Sequence, residues 1–560
     1  MASEYGAEPE PEVVRLAARL RSQPRPAAVT AVDDDGTKAP KRRRLHLLRG
    51  SHPSGEGTTF RRRPRRWTVA VAAAAILLSA RALMRSRDSQ APAAEASVAI
   101  LPFADLSPAR DRQFLSDGIT EELMGRLQRV QGLRVAARTS SFFFRGRERE
   151  INEVGRQLGV AAVVIGSVRE DGTRLQIVST LLDARSGAQR WTHSYNVDAA
   201  EVFSAQDAIA RSVAAALHLK VEGGVDSPLG ASTVDPRAHE LAMRGRFAWN
   251  QRTEESVRAA LGDFEEAARI DPRYAVAYAG ISDAWQILPQ YGHVAPREAL
   301  ANSKTAALRA IALDSTLAEA HTSLAAMLVE YDRDRPGAER EYARAIALNP
   351  GYATAHHWYG LHLAADGKFP EATAQIELGR RLDPLSSIIS SAAGVVRYFA
   401  RDYDGAVAEF RAVLALQPDF ATAWSLLGRT QCALGQYDDA VRSEERAVEL
   451  SGRAPANVTL LAYALASSGR ARQADSLLRS LTTDSARSFV PAIDLAAVYV
   501  VLKRVDDAFR VLQQGYAARD IEMKYLRVDP RFDEVRSDAR FARLAGQLGL
   551  GGDARTPQNR

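Results

Sequence analysis

"RDYDGAVAEFRAVLALQP", residues 401–418, puts Ala406, Phe410 and Val413 at i, i+4 and i+7, on one face of a helix that Pro418 brings to a stop. A close copy, "GKFPEATAQIELGRRLDP", starts at 367, and another, "GQYDDAVRSEERAVELSG", starts at 435. The period is 34 residues: alanines recur at 338, 372, 406, 440, 474 and 508. Pro350, Pro384 and Pro418 keep the same step, as do Gly360, Gly394 and Gly428, while Tyr342, Ile376 and Phe410 each lie four residues after their alanine. The small residues sit where two helices approach most closely, and the large ones fill the space between. A single helical hairpin of this kind cannot bury its own apolar face, so neighbouring copies must stack.

Working outward from 401, repeats in strict phase begin at Glu319, Ala353, Ser387, Ala421, Pro455 and Phe489. Two looser copies precede them, at about 238–272 and 274–315, and "DPRFDEVRSDARFARLAGQLGL" (529–550) reads as the polar end of the stack. The period and its phase resemble the tetratricopeptide repeat. That resemblance implies an all-α solenoid of about eight repeats over 235–522 with a capping helix over 523–550. It also implies a concave face, lined by the first helix of each pair, that holds a protein or peptide partner. Carried onto this chain, it directs Met327, Glu330, Tyr331, His357, Leu361, Val395, Tyr398, Ser425, Arg429, Thr459 and Tyr463 into the groove. These are mostly apolar and aromatic, which suits a hydrophobic peptide or helix. Family members that hold a C-terminal carboxylate use Lys and Asn there, and none stands at these positions.

Ahead of the repeats the hydrophobic period shortens. "SVAILPF" (97–103) reads as a strand, "QFLSDGITEELMGRLQRV" as a helix, "LRVAAR" as a strand and "INEVGRQLG" as a helix. "AAVVIGSVRE", "RLQIVSTLLD" and "RWTHSYNV" then give three strands joined at Asp171-Gly172 and Ser186-Gly187, before a helix through "VFSAQDAIARSVAAALHL". The order β-α-β-α-β-β-β-α predicts a small α/β domain with a mixed sheet over 96–220, followed by a linker over 221–234. "SVAILPFADLS", "FLSDGITEELMGRL", "RVAARTSSFFFRG", "LGVAAVVIGSVRED" and "DARSGAQRWTHSY" together resemble the TolB-like amino-terminal domain that accompanies helical repeats in bacterial kinases, cyclases and membrane regulators. The resemblance implies an accessory or sensing module without catalytic residues. The charges in "FRGRERE" and "SDGITEE" read as solvated loop faces, and His193, alternating with Trp191 and Tyr195, as structural.

The first 66 residues carry 15 Lys and Arg against 8 Asp and Glu, so the net charge of +6 resides wholly in this tail. The remainder is near neutral, and no direct contact with nucleic acid is expected. The tail is rich in Arg, Pro, Gly and Ser and reads as disordered over 1–66, although residues 5–24 resemble the last helix of a bacterial transcriptional activator domain. A low-polarity run over 67–84, flanked by arginines, reads as a single transmembrane helix contacting the lipid bilayer, with 85–95 as a linker. Five arginines at 61–66 against three at 81–87 orient the N-terminus to the cytoplasm. The domains from 96 onward, and the short tail over 551–560, are then extracytoplasmic at a bacterial inner membrane.

No P-loop, G-x-S-x-G, H-E-x-x-H or kinase signature occurs. Relatives with kinase or cyclase domains carry them before the membrane, where only 66 residues stand. The chain is therefore expected to be a non-enzymatic, membrane-anchored scaffold without a cofactor. The alternative is the sensory part of a membrane-bound transcriptional regulator. In "HHWYGLH" (356–362), His357 and His362 are five apart, off a common helical face, with no carboxylate apparent nearby, so no metal is expected. One cysteine, Cys432, excludes an internal disulfide.

Overall fold

The computed structural model describes residues 96–550, apart from 109–110, 131, 148, 173, 199–201, 218–233, 292–293 and 485–489. The tail, the proposed membrane segment at 67–84, the activator-like stretch at 5–24 and residues 551–560 lie outside the described residues. Among the described residues no helix is long and apolar enough to cross a membrane.

The sheet domain is built from β1 (Ala96–Ile100), β2 (Ala104–Asp105), α1 (Gln113–Gln128), β3 (Leu133–Val135), α2 (Arg138–Phe142), α3 (Ile151–Leu158), β4 (Ala162–Asp171), β5 (Arg174–Asp183), β6 (Gln189–Asp198) and α4 (Val202–Ala216). The sheet order is β3-β1-β4-β5-β6, with β2 pairing β4. Pairs β1–β3 and β1–β4 are parallel, whereas β4–β5 and β5–β6 are antiparallel, so the mixed sheet expected from the strand pattern is present. Gly172, at φ +64°, supplies the left-handed turn between β4 and β5. Ile119, Leu123 and Leu127 of α1 and Ile209 and Val213 of α4 are fully buried against Val98, Ile177 and Leu181 of the sheet.

Eight helix pairs follow among the described residues: α5 (Pro236–Asn250) with α6 (Glu254–Ile270), α7 (Ala275–Ile287) with α8 (Pro296–Leu313), α9 (Ala318–Met327) with α10 (Arg335–Leu348), and α11 (Ala353–Ala365) with α12 (Phe369–Leu382). The series continues with α13 (Ser387–Phe399) and α14 (Tyr403–Leu416), α15 (Ala421–Ala433) and α16 (Tyr437–Leu450), α17 (Pro455–Ser467) and α18 (Ala471–Asp484), and α19 (Ala492–Val501) and α20 (Val505–Ala518). The stretch that opened the sequence reading becomes α14. Asp402 caps it by accepting from Gly405 N at 3.0 Å. Ala406, Phe410 and Val413 are buried on its inner face, and Gln417-Pro418 ends it. Gly394 of α13 is required there, because a Cβ would stand 2.5 Å from Phe410 Cε1.

The backbone repeats with the same period. Arg333, Gly367, Arg401, Gly435, Gly469 and Lys503, 34 apart, all have positive φ at the turn between the paired helices. Three are cationic rather than glycine: Arg333 donates to Tyr516 O of α20, whereas Arg401 reaches the C-terminal segment at Val528 O and Asp533, and Lys503 pairs there with Glu534. That segment is not the single capping helix anticipated over 523–550. It consists of 3-10 turns at Ile521–Tyr525 and Pro530–Val535 followed by α21 (Ala539–Gln547).

Candidate functional site: the concave face and the chamber beside it

The C-terminal segment packs into the concave face instead of merely ending the stack. Met523, Tyr525, Leu526 and Phe532 share one continuous core with Tyr398, Phe410, Leu427 and Tyr463. Tyr525 stacks on Phe399 with ring centroids 4.9 Å apart. Lys524 Nζ lies 2.6 Å from Glu330 Oε1. Arg531, with its side chain 2% exposed, meets Asp494 and Asp529, each at 2.7 Å. Asp520 accepts from Ala492 N at 2.6 Å and Glu522 N at 3.0 Å, and burial pushes its carboxyl up to about 7. These buried charges require one another, since removing either member of a pair strands the other.

The structure therefore corrects the exposure expected of the groove residues. Met327, Tyr398, Ser425, Thr459 and Tyr463 are buried. Arg519 donates to Tyr331 O and lies 5.0 Å from its ring, Lys524 occupies Glu330, and Arg531 stands 5.7 Å from the Tyr463 ring. Arg429 sits 4.6 Å over Tyr398. Leu361 and Val395 pack on the repeat cores, and Thr459 Oγ1 bonds back to Pro455 O. Ser425 donates at 2.8 Å to Glu444, a fully buried carboxylate standing where the neighbouring repeat has Phe410, and burial holds Glu444 well above the usual range. His357 is buried as well, and its imidazole is pushed down to about 4, first by burial and then by Lys524.

Toward the N-terminal repeats the concave side meets the sheet domain. Asp383, just beyond α12, accepts from Ser140 N at 2.9 Å and Ser140 Oγ at 2.6 Å, capping α2 across the domain boundary. Ala137 N donates to Leu382 O at 2.9 Å, and Asn349 Nδ2 to Gln128 Oε1 at 3.2 Å. Gly118 of α1 leaves room for Met243 of α5, and His239 Nε2 lies 3.1 Å from Glu122. The two charge runs read as solvated faces instead meet each other: Asp117, 2% exposed, pairs with Arg145. His193, exposed on β6, stacks on Trp191 and is tilted against Tyr195.

Between these contacts remains a cavity of ≈ 1400 Å³ lined from both domains, among others by Arg129, Arg273, Val276, His357, His362 and Ile388. Arg246 on its wall is paired with Asp283 at 2.8 Å. Arg129 and Arg273 make no side-chain hydrogen bond or ion pair among the described residues, Glu319, Asp314 and Asp207 attracting Arg129 from farther off, and Val276 and Ile388 are 38% and 55% exposed. Sequence reasoning missed this chamber because part of its wall comes from a domain read separately and part from the C-terminal segment at Ile521–Tyr525.

It also passed over carboxylates beside His362. Asp366, four residues on, and Glu339 of α10 each place an oxygen within 4.8 Å of an imidazole nitrogen and of one another, which corrects the statement that none lies nearby. The i, i+4 spacing of His362 and Asp366 was the available signal. His357 is not part of that group.

The tetratricopeptide repeat family profile matches residues 400–443, the part of the chain built from α14, α15 and the start of α16. This is a helical repeat protein of tetratricopeptide type. Proteins of that type generally bind protein or peptide partners. Among solved structures, the chain is similar to PilF of Pseudomonas aeruginosa (18% identity, 38% of this chain and 92% of that one, TM-score 0.30). It is similar also to yeast Tom70 (14%, 55% and 66%, TM-score 0.36) and to YrrB, described as a TPR protein with an unusual peptide-binding site (20%, 35% and 91%, TM-score 0.24). Among curated proteins it is 35% identical over 190 residues to putative adenylate cyclase 3 of Rhizobium meliloti (strain 1021). That match takes in 34% of this chain, which spans about a third of the relative's length. The expectation of a non-enzymatic chain is corrected by this relative. Missing motifs test only the chemistries they encode, and the relative that shares these 190 residues is named as an enzyme.

Proposed function

We propose that this chain is a scaffold whose chamber, between the sheet domain and the N-terminal repeats, takes a segment of a partner protein. The observation that supports the reading is the pairing of two cations without an ion pair among the described residues, Arg129 and Arg273, with the exposed apolar side chains of Val276 and Ile388 in one cavity. An extended segment carrying acidic and aliphatic side chains would satisfy both. The run at 67–84 would hold the scaffold at a bacterial inner membrane with its N-terminus in the cytoplasm, and the TolB-like reading of 96–220 fits a sensing role there. The test is capture of partners by residues 88–560, wild type against Arg129→Glu with Ile388→Asp. Loss of the captured set in the variant is the expected result, and an unchanged set would remove the chamber from the account.

The relative matched over 190 residues favours a second reading, in which the chain contributes to making cyclic AMP. Purified chain incubated with ATP and a divalent cation would then yield cyclic AMP and pyrophosphate. If no cyclic AMP forms, the chain alone is not a cyclase.

A further inference from the structure

We infer that Glu339, His362 and Asp366 form a binding site for one divalent transition-metal ion of the zinc type, at the edge of the chamber. The carboxylates alone would not carry this; the histidine does. His362 is 3% exposed, and neither of its ring nitrogens makes a hydrogen bond. Its Nε2 lies 3.7 Å from Asp366 Oδ2 and 4.0 Å from Glu339 Oε1. In a tetrahedral zinc site with bonds of about 2.0–2.2 Å, ligand atoms stand about 3.3 Å apart, so the two histidine contacts would close by about 0.4 and 0.7 Å around an ion, and the two carboxylates, whose oxygens lie within 4.8 Å of each other, would draw together. His362 and Asp366 are one helical turn apart, and Glu339 comes from the preceding helix pair, so the three ligands converge from two elements.

The His362 side chain is held by packing rather than by hydrogen bonds. Tyr342 and Tyr359 pack around the ring, with centroids at 5.9 and 6.5 Å. That packing accounts for where the ring lies and leaves both nitrogens without a partner. Two cations already attend the carboxylates. Arg335 bonds Asp366 Oδ1, leaving Oδ2 toward the histidine. Lys368 bonds Glu339 Oε1, the oxygen nearest His362, so it competes directly with an ion. Its side chain is 44% exposed and can turn out to solvent. One nitrogen and two carboxylate oxygens suit zinc, and because His362 lines the chamber a fourth position is open to water or to a group bound there.

The experiment is calorimetric titration of the chelator-treated full chain with Zn²⁺ alone. The expected result is one ion per chain, bound at least tenfold more weakly by Glu339→Gln and at least threefold more tightly by Lys368→Ala, with His362→Gln abolishing the signal. Both Glu339 and Lys368 are partly exposed, so their variants keep the test meaningful if His362→Gln fails to fold. Absence of saturable Zn²⁺ binding would overturn the inference, as would affinities in Glu339→Gln and Lys368→Ala equal to wild type.

Discussion

The concave side of one solenoid meets two different fates. Toward the C-terminus, residues 521–550 pack into it with Tyr525, Phe532 and buried ion pairs. Toward the N-terminus, the sheet domain touches the same side at points such as Ser140–Asp383 and encloses space between them. Identical repeat geometry thus specifies a surface without specifying its use. What decides is whether apolar side chains and paired charges arrive to fill it.

The comparison can be broken hardest at Arg531. Arg531→Met strands Asp494 and Asp529 in the sealed half, at an expected cost of about 3–5 kcal/mol, readable as a lower urea midpoint and early unfolding of 390–535. In the open half, Asp383→Ala leaves Ser140 N and Oγ without their acceptor, about 1–3 kcal/mol. Hydrogen exchange should quicken at 138–147 while the C-terminal segment stays protected; equal loosening of both would erase the distinction. The sealed half also carries a pH dependence. Asp520 titrates near 7 when folded, above its ordinary 3.8, so the folded chain holds the proton more tightly. Its contribution is complete below about 3.8 and is lost as pH rises through about 7. The urea midpoint should therefore fall between pH 5 and pH 8, and Asp520→Asn, which keeps the acceptor for Ala492 N, should flatten that fall. The smallest effect is expected at Arg401→Gly, which relieves a φ of +69° but gives up bonds to Val528 O and Asp533. The two should nearly cancel, within about 1 kcal/mol in thermal unfolding.

Much of the repeat architecture was legible because it is local. The 34-residue period placed helix starts at Ala353, Ser387, Ala421 and Pro455, where the helices indeed begin. The strand alternation likewise gave the β4–β5–β6 hairpins, each closed by neighbours in sequence, but not the short β2 or α2. The candidate site was not legible, since its contacts join residues far apart: Ser140 and Asp383 are separated by 243 positions, and Glu330 and Lys524 by 194. Projection of a family groove onto Tyr398 and Tyr463 could not see that Arg531 and Tyr525 return to cover them. Even a separation of 28 positions hid Asp117 from Arg145, whose charges looked solvated in isolation.

The contrast between a filled and an open concave face is tested most directly by thiol labelling of single-cysteine chains. Cys432, itself buried, is replaced by serine, and a cysteine is placed either at Ile388, in the chamber, or at Met523, in the C-terminal segment. The account predicts rapid labelling at 388 and labelling slower by at least a hundredfold at 523. Equal rates at the two positions would mean that the segment does not seal the face, and the account would fail.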